Sequence, residues 1–430
     1  MDALTAVTGA RTRSLGLVGL GIVVSGVFVN VYLAIVAREL PAAEYAYFGA
    51  FWSLALVVGF GMFLPIEQET ARLQQTPGRP GRILRSALLA AVGMATLQLG
   101  LLGLASPLLL RAFGGSIATI CALGVLCVVS AGQFVVRGAL IGLDRMRHHA
   151  ALMLCDTALR VLLAVLVAAV AGRPGSSAFA WTLVGAIALA HAPTLFALRA
   201  RRVRPGNVPP LGTGVVTPGQ VAAAVAPLVL GSLCAQLLLN APPVLVPALA
   251  GSPGEATLAG RFVAAFTLTR IPLFLVVPLQ TALLPMLTGM LHSGDRLALR
   301  RLIVRVGGGV LILALVSAML GLTVGPPLIE LIFGLQYVLA GDHMALLALG
   351  VASYVGLVIV TQVLVASARH RQVAQSWLAG VVAAALVVLV VPDLLLRAEL
   401  ALLVGSGAAW LVSVWVVLSP NAGREVSRAP

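Results

Sequence analysis

The chain has 430 residues, 60% of them hydrophobic and only 10% charged. Soluble domains carry about 25% charged residues, so a soluble fold is excluded and an all-α integral membrane protein is expected. The formal charge of +14 does not point to nucleic acid. No compact basic domain or aromatic-interleaved basic patch accompanies it, and it is spread over short loops, where basic residues set topology.

In chain order, Arg11 and Arg13 precede an apolar run to about Val36. That run exceeds the roughly 7–15 residues of a signal-peptide core, so an uncleaved first span is expected. Eleven more follow, giving twelve at about 14–36, 47–66, 86–110, 116–140, 150–171, 178–198, 220–249, 260–288, 304–325, 344–366, 375–392 and 400–419. All 28 basic residues are arginine. With the N-terminus inside, 20 arginines fall in cytoplasmic segments and five in external loops. That positive-inside bias places both termini in the cytoplasm of a multi-pass cell-membrane protein.

The longest cytoplasmic connection, residues 199–219, is basic at its start and rich in Pro and Gly. It reads as a flexible linker between two six-helix lobes, 1–198 and 220–430. The two sides resemble one another. Glu44-x4-Gly49-x-Phe51 matches Glu255-x4-Gly260-x-Phe262, Pro107-Leu-x4-Phe113-Gly114 matches Pro327-Leu-x4-Phe333-Gly334, and Arg145-x-Arg147 matches Arg369-x-Arg371. Three matches in one order imply parallel repeats around a central cavity, an arrangement in which substrate binds between the halves.

Polar residues inside spans carry the functional reading. Arg270 lies near the middle of the eighth span, Phe262–Pro285, which Pro272, Pro278 and Pro285 are expected to bend. A charge at that depth costs several kcal/mol unless it meets a partner or a water-filled cavity. It either holds an anionic substrate group or pairs with a neighbouring helix, Asp156 being one possible partner. Asp156 and Arg160 stand at i, i+4 and share a face. They form an internal ion pair, or Arg160 lines the cavity while Asp156 offsets its charge or takes up a proton. Arg137, near the inner end of the fourth span, is expected to snorkel to the interface, with a cavity role as the alternative. Gln236 and Asn240, again i, i+4, either hydrogen-bond between helices or face the cavity together. His191 reads as a satisfied packing residue. Glu67 and Glu69 read as solvated charge at the inner surface, and Gly307-Gly308-Gly309 as a site of close helix packing. Cys121, Cys127, Cys155 and Cys234 lie in apolar segments without metal-ligand or disulfide spacing. There is no catalytic or nucleotide-binding motif, so no catalytic residue, metal or cofactor is expected.

Four stretches, ARELPAAEYAYFGAFWSLALVVGFG, RGALIGLDRMRHHAAL, AGRFVAAFTLTRIPLFLVVPLQTALLP and GPPLIELIFG, together resemble the polysaccharide-flippase branch of the multidrug/oligosaccharidyl-lipid/polysaccharide (MOP) exporter superfamily. The resemblance implies a V-shaped pair of six-helix lobes. It implies movement of a polyprenyl-pyrophosphate-linked oligosaccharide to the external leaflet for surface polysaccharide biosynthesis. Arg270 matches the family's arginine before the Ile/Leu-Pro of the eighth span. The partners implied are the lipid-linked glycan, membrane lipids and polysaccharide-assembly proteins. Two other functions are weighed. A cation-coupled multidrug exporter should carry several buried carboxylates and an aromatic-lined pocket, where only Asp156 qualifies by sequence. A glycan polymerase or ligase should carry a sizeable external loop, and the external loops are short.

Overall fold

A computed structural model describes residues 21, 23–75, 80–200, 216–275, 286–287, 289–290, 296–367 and 369–419. Arg11, Arg13, most of the expected linker, Pro278, Gln280 and Pro285 lie outside the described residues. Every regular element described is helical, and ten of these helices are long and apolar enough to cross a membrane. Hydrocarbon offers no partner to a backbone N–H or C=O, so a spanning segment must satisfy both within itself.

The helices are α1 (23–39), α2 (Ala42–Leu56), α3 (Leu64–Gln74), α4 (Pro80–Leu104), α5 (Ser106–Ala112), α6 (Ile117–Gly142), α7 (Met146–Val170), α8 (Ser176–Ala200), α9 (Pro218–Asn240), α10 (Pro242–Leu249), α11 (Pro253–Thr269), α12 (Arg296–Thr323), α13 (Gly325–Ile332), α14 (Gly341–Ala366), α15 (His370–Val390) and α16 (Leu394–Leu418). They form two compact units. One holds the chain up to Leu40 together with Leu54–Val229, and the other holds Pro41–Ser53 together with the chain from Leu230.

In the first unit α6 is central, packed on α3, α4, α7 and α8. Its approach to α3 depends on Gly138 and Gly142, one turn apart on one face. A Cβ on Gly138 would lie 2.4 Å from the Glu67 carbonyl oxygen, and one on Gly142 would lie 2.5 Å from that of Ala71. Small residues at this spacing let two backbones approach where no hydrophobic force drives helices together. In the second unit α14 packs on α12 and α16, and α15 on α16.

The repeated motifs become repeated structures. Gly49 and Gly260 both mark a backbone crossing in the second unit. A Cβ on Gly49 would meet the Val263 side chain, and one on Gly260 the Ala42 carbonyl oxygen. The Pro-Leu-x4-Phe-Gly motifs fold as the short helices α5 and α13, each with proline at its start, Phe113 or Phe333 as C-cap, and a positive-φ glycine next, Gly114 at 57° and Gly334 at 108°. The Arg-x-Arg motifs begin α7 and α15 after matching turns. Arg145 N–H donates to the Leu140 carbonyl at 2.8 Å, and Arg369 N–H to the Leu364 carbonyl at 2.9 Å. The residues before them donate likewise, Leu143 to Ala139 and Ser367 to Val363.

Three expectations are corrected. The second span runs from Ala42 to Gln74, through a π-helical segment, Val57–Phe63. Glu67 and Glu69 therefore sit on a helix that continues past the expected edge, and both are buried. Gly308 and Gly309 have nothing within 4 Å of an added Cβ, so that pair does not mediate close packing.

The contrast between crowded and open glycines is testable. Gly138→Ala should lower stability in detergent by about 1–3 kcal/mol, the usual cost of overpacking, while Gly93→Ala, with open space at its Cβ, should not. Thermal unfolding of the two variants beside wild type measures the difference.

Candidate functional site

Proline interrupts the helices that carry Asn240 and Arg270. The eighth span is not one bent helix: α11 stops at Thr269, Arg270 is its C-cap, and a 3-10 turn, Ile271–Leu275, follows. Proline at 272 removes a backbone donor and pushes the preceding residue away from helical geometry. The seventh span divides likewise, α9 ending at Asn240 and α10 starting with Pro242 and Pro243. Irregular backbone at membrane depth is tolerated where protein surrounds it or it lines a cavity.

These interruptions bring three of the expected site residues together. The Arg270 guanidinium donates to Asn240 Oδ1 at 2.9 Å. The Asn240 amide nitrogen donates to Gln236 Oε1 at 2.9 Å and to the Gln236 carbonyl at 2.9 Å. Those two acceptors orient the amide so that its oxygen, and not its NH2, faces the cation. Gln236 and Asn240 thus bond along their own helix and reach α11 through Asn240. Arg270 is half-buried, and its guanidinium lies 5.2 Å from the Phe266 ring centroid, within cation–π range. The Tyr354 hydroxyl donates to the Ala235 carbonyl at 3.3 Å. As the C-cap of α11, Arg270 also stands at the negative end of that helix dipole, which favours a cation. No carboxylate meets it among the described residues. Asp156 is held by Arg160 on its own helix.

The other expected residues sit in the first unit, and there each arginine meets an acid. Arg160 binds Asp156 through two hydrogen bonds, 3.1 and 2.5 Å, with Asp156 only 2% exposed. Arg137 does not snorkel. It is buried, its Nε is 2.9 Å from Glu67 Oε2, and its guanidinium lies over Phe134 at 4.9 Å and Phe60 at 5.7 Å. The Gly138 crossing explains this, because it brings the α3 backbone at Glu67 against α6 beside Arg137.

Sequence reasoning missed Glu67 as a buried partner and missed Glu399. Glu399 is fully buried and 2.9 Å from His343 Nδ1. The available signal was Asp393, whose carboxylate accepts from the Leu395 and Leu396 N–H groups. An N-cap there starts α16 early enough to put Glu399 inside it. Four buried carboxylates are therefore present among the described residues, not one: Glu67, Glu69, Asp156 and Glu399. Each has a basic partner, Glu69 pairing with Arg72.

This architecture is the fold of the MATE transporters of the MOP superfamily. An inward-facing multidrug resistance MATE family transporter of that superfamily superposes with a TM-score of 0.66 at 12% identity, over 93% of this chain and 94% of its own. The outward-facing conformation of such a transporter gives 0.59 at 14%, over 96% and 95%. The eukaryotic MATE transporter AtDTX14 gives 0.59 at 14%, over 97% and 98%. No family model matches the sequence. Two Mycobacterium tuberculosis proteins, uncharacterized protein Rv1510 of strain H37Rv and uncharacterized protein MT1558/MT1560 of strain CDC 1551, are each 32% identical over 427 residues, covering 94% of this chain and 92% of theirs. The chain belongs to the family of these two mycobacterial proteins.

The Glu67–Arg137 pair can be tested by charge. Glu67→Gln leaves a buried guanidinium unmatched and should cost about 3–5 kcal/mol, whereas Glu67→Gln combined with Arg137→Met should recover most of that loss. Thermal unfolding of the single and double variants reads the pattern, and an unaffected Glu67→Gln would remove the pair from the core.

Proposed function

We propose that this protein is a transporter that flips a polyprenyl-pyrophosphate-linked oligosaccharide across the cytoplasmic membrane for surface polysaccharide biosynthesis. The observation that carries this reading is the electrostatics of Arg270. In the first unit both deep arginines are neutralised by carboxylates. Arg270 is held by an amide and an aromatic face, which position it without cancelling its charge. A half-buried, positioned guanidinium is a receptor for a planar or phosphate anion, to which it can give two parallel hydrogen bonds. A pyrophosphate linking glycan to lipid supplies that anion at membrane depth, while the prenyl chain stays in lipid.

In this reading the two repeats, 1–198 and 220–430, are six-helix lobes joined by 199–219, with both termini cytoplasmic. Transport proceeds by alternating access, one repeat rocking against the other. It requires no bond making or breaking, so the protein acts as a carrier and not as an enzyme. Its partners are the lipid-linked glycan, surrounding lipids and polysaccharide-assembly proteins.

A second reading, a cation-coupled multidrug exporter, draws support from the MATE fold and from the four buried carboxylates. Each of those four already faces a basic side chain, three of them an arginine and Glu399 a histidine.

Two variants separate the readings. Arg270→Ala should abolish surface glycan while leaving the protein in the membrane. Asn240→Asp is the sharper test. It keeps the acceptor 2.9 Å from Arg270 and turns the site neutral, at the cost of the two hydrogen bonds that Asn240 Nδ2 gives Gln236, so it should lower thermal stability modestly, still reach the membrane and lose export. Surface glycan in a deletion strain carrying each variant measures the outcome. Drug sensitisation with normal glycan in the deletion strain would favour the exporter.

A further inference from the structure

The least buried spanning helix carries charge that no described acid answers. Only 6% of the apolar stretch of α12 is buried, the lowest share among the ten spanning helices described. One side packs inward, where Ile303 joins Val360 and Leu364 of α14. The other side presents Val304, Ile312, Leu315 and Met319, each more than half exposed, as a face for lipid. Arg300, Arg301 and Arg305 are exposed as well. At about 100° per residue they fall with those four apolar side chains inside an arc of about 140°. The arginines therefore stand on the lipid-facing side of the helix and not on its packed side.

Depth agrees with direction. At 1.5 Å per residue, residues 306–323 cover about 27 Å, close to a hydrocarbon thickness of about 30 Å. The rise from Arg300 to Arg305 is about 7.5 Å, the scale of one headgroup layer. Arg301 and Arg305 stand at i, i+4, a spacing at which like charges repel. None of the three arginines makes an ion pair or hydrogen bond among the described residues, so that repulsion is not relieved from within. Further along the same face is Gly308, exposed and with nothing within 4 Å of an added Cβ. Its bare backbone leaves a recess beside the arginines. The internal repeat does not require this cluster. Arg305 corresponds to Arg85 at the offset that relates Pro327 to Pro107, but Pro80 and Gly81 stand at the positions of Arg300 and Arg301.

We propose that Arg300, Arg301 and Arg305 form a binding site for the phosphodiester of an anionic phospholipid, whose acyl chains lie along α12 over Gly308. The phosphate turns repulsion between guanidinium groups into charge-assisted hydrogen bonds, and the planar fork of arginine suits its oxygens. A soluble anion would meet the charge and leave the apolar side chains beside it uncovered. A phospholipid covers both, because its phosphate and its chains follow one another in the same order as the arginines and the apolar face. The site shares no residue with the Arg270 network and does not depend on what is transported.

The test is a lipid titration of purified full-length protein in non-ionic detergent, with phosphatidylglycerol or phosphatidylcholine, bound lipid being read from the mass of the intact complex. Wild type should bind phosphatidylglycerol more tightly than phosphatidylcholine. A basic residue close to an anionic surface strengthens binding about fivefold. The triple variant Arg300→Gln/Arg301→Gln/Arg305→Gln should therefore lose roughly a hundredfold in affinity for phosphatidylglycerol and bind phosphatidylcholine as before. Arg270→Ala should bind phosphatidylglycerol as wild type does. Equal affinity of wild type and triple variant for phosphatidylglycerol overturns the site. Should the triple variant not fold, Gly308→Leu keeps all three charges, fills the recess and should weaken phosphatidylglycerol binding severalfold; unchanged binding in that variant overturns the proposal. Displacement of the lipid by equimolar inorganic phosphate would make the ligand a soluble anion. A dimer that persists in phosphatidylcholine alone and is lost on Gly308→Leu would give the face to a second copy of the chain. Either result overturns the proposal.

Discussion

A charge inside hydrocarbon must bring its own solvation, and the placement of charge in this protein follows from that constraint. In the first unit the solvation is another side chain of opposite sign. Arg137 can be buried because Glu67 meets it, and Glu67 can meet it because Gly138 lets α3 lie against α6. The glycine, the acid and the arginine form one device. Removing any member exposes the cost carried by the others. In the second unit the solvation is neutral: an amide oxygen, a ring face and the carboxyl end of a helix surround Arg270. The difference in the kind of partner, and not the number of arginines, distinguishes the two units.

The internal repeat sharpens this contrast. The turns before α7 and α15 match hydrogen bond for hydrogen bond, and the short helices α5 and α13 begin on proline and end on a phenylalanine followed by a left-handed glycine. Backbone geometry has been kept where the chain must turn. At membrane depth the two halves differ. The position 211 residues before Arg270 is Gly59, which lies in the π-helical segment of the second span. Both copies depart from α-helical geometry there; the second carries its cation, Arg270, on the irregular segment itself, whereas the first receives Arg137 from α6 over the Phe60 ring. π-helical turns inside α-helices are frequent at functional sites.

Much of the architecture was legible in the sequence because hydropathy is a strong signal. The spans, the repeat and the intramembrane polar residues could all be read. The glycine and Phe-Gly motifs carried real geometry because each marks a place where a side chain would not fit. Pairing was harder to read. Glu67 looked solvated because its span was expected to end at Ile66, and Glu399 looked like a loop residue because its span was expected to begin at Ala401's neighbour, Leu400. In both cases the helix continues beyond the apolar run, since a buried pair lets charged residues extend it. The break at Arg270 was also underestimated. Arg270-Ile-Pro272 and Asn240-Ala-Pro242 share a spacing, each placing a polar side chain two residues before proline. That shared pattern was the available clue that the two would meet.

The neutral partners of Arg270 have one more consequence. Asparagine, glutamine and phenylalanine do not titrate, so the groups that hold this guanidinium keep the same charge in acidic and in alkaline surroundings. A carboxylate in the place of Asn240 would tie anion affinity to the acidity of whichever compartment the site faced. With an amide there, the charge around Arg270 stays the same across the pH range.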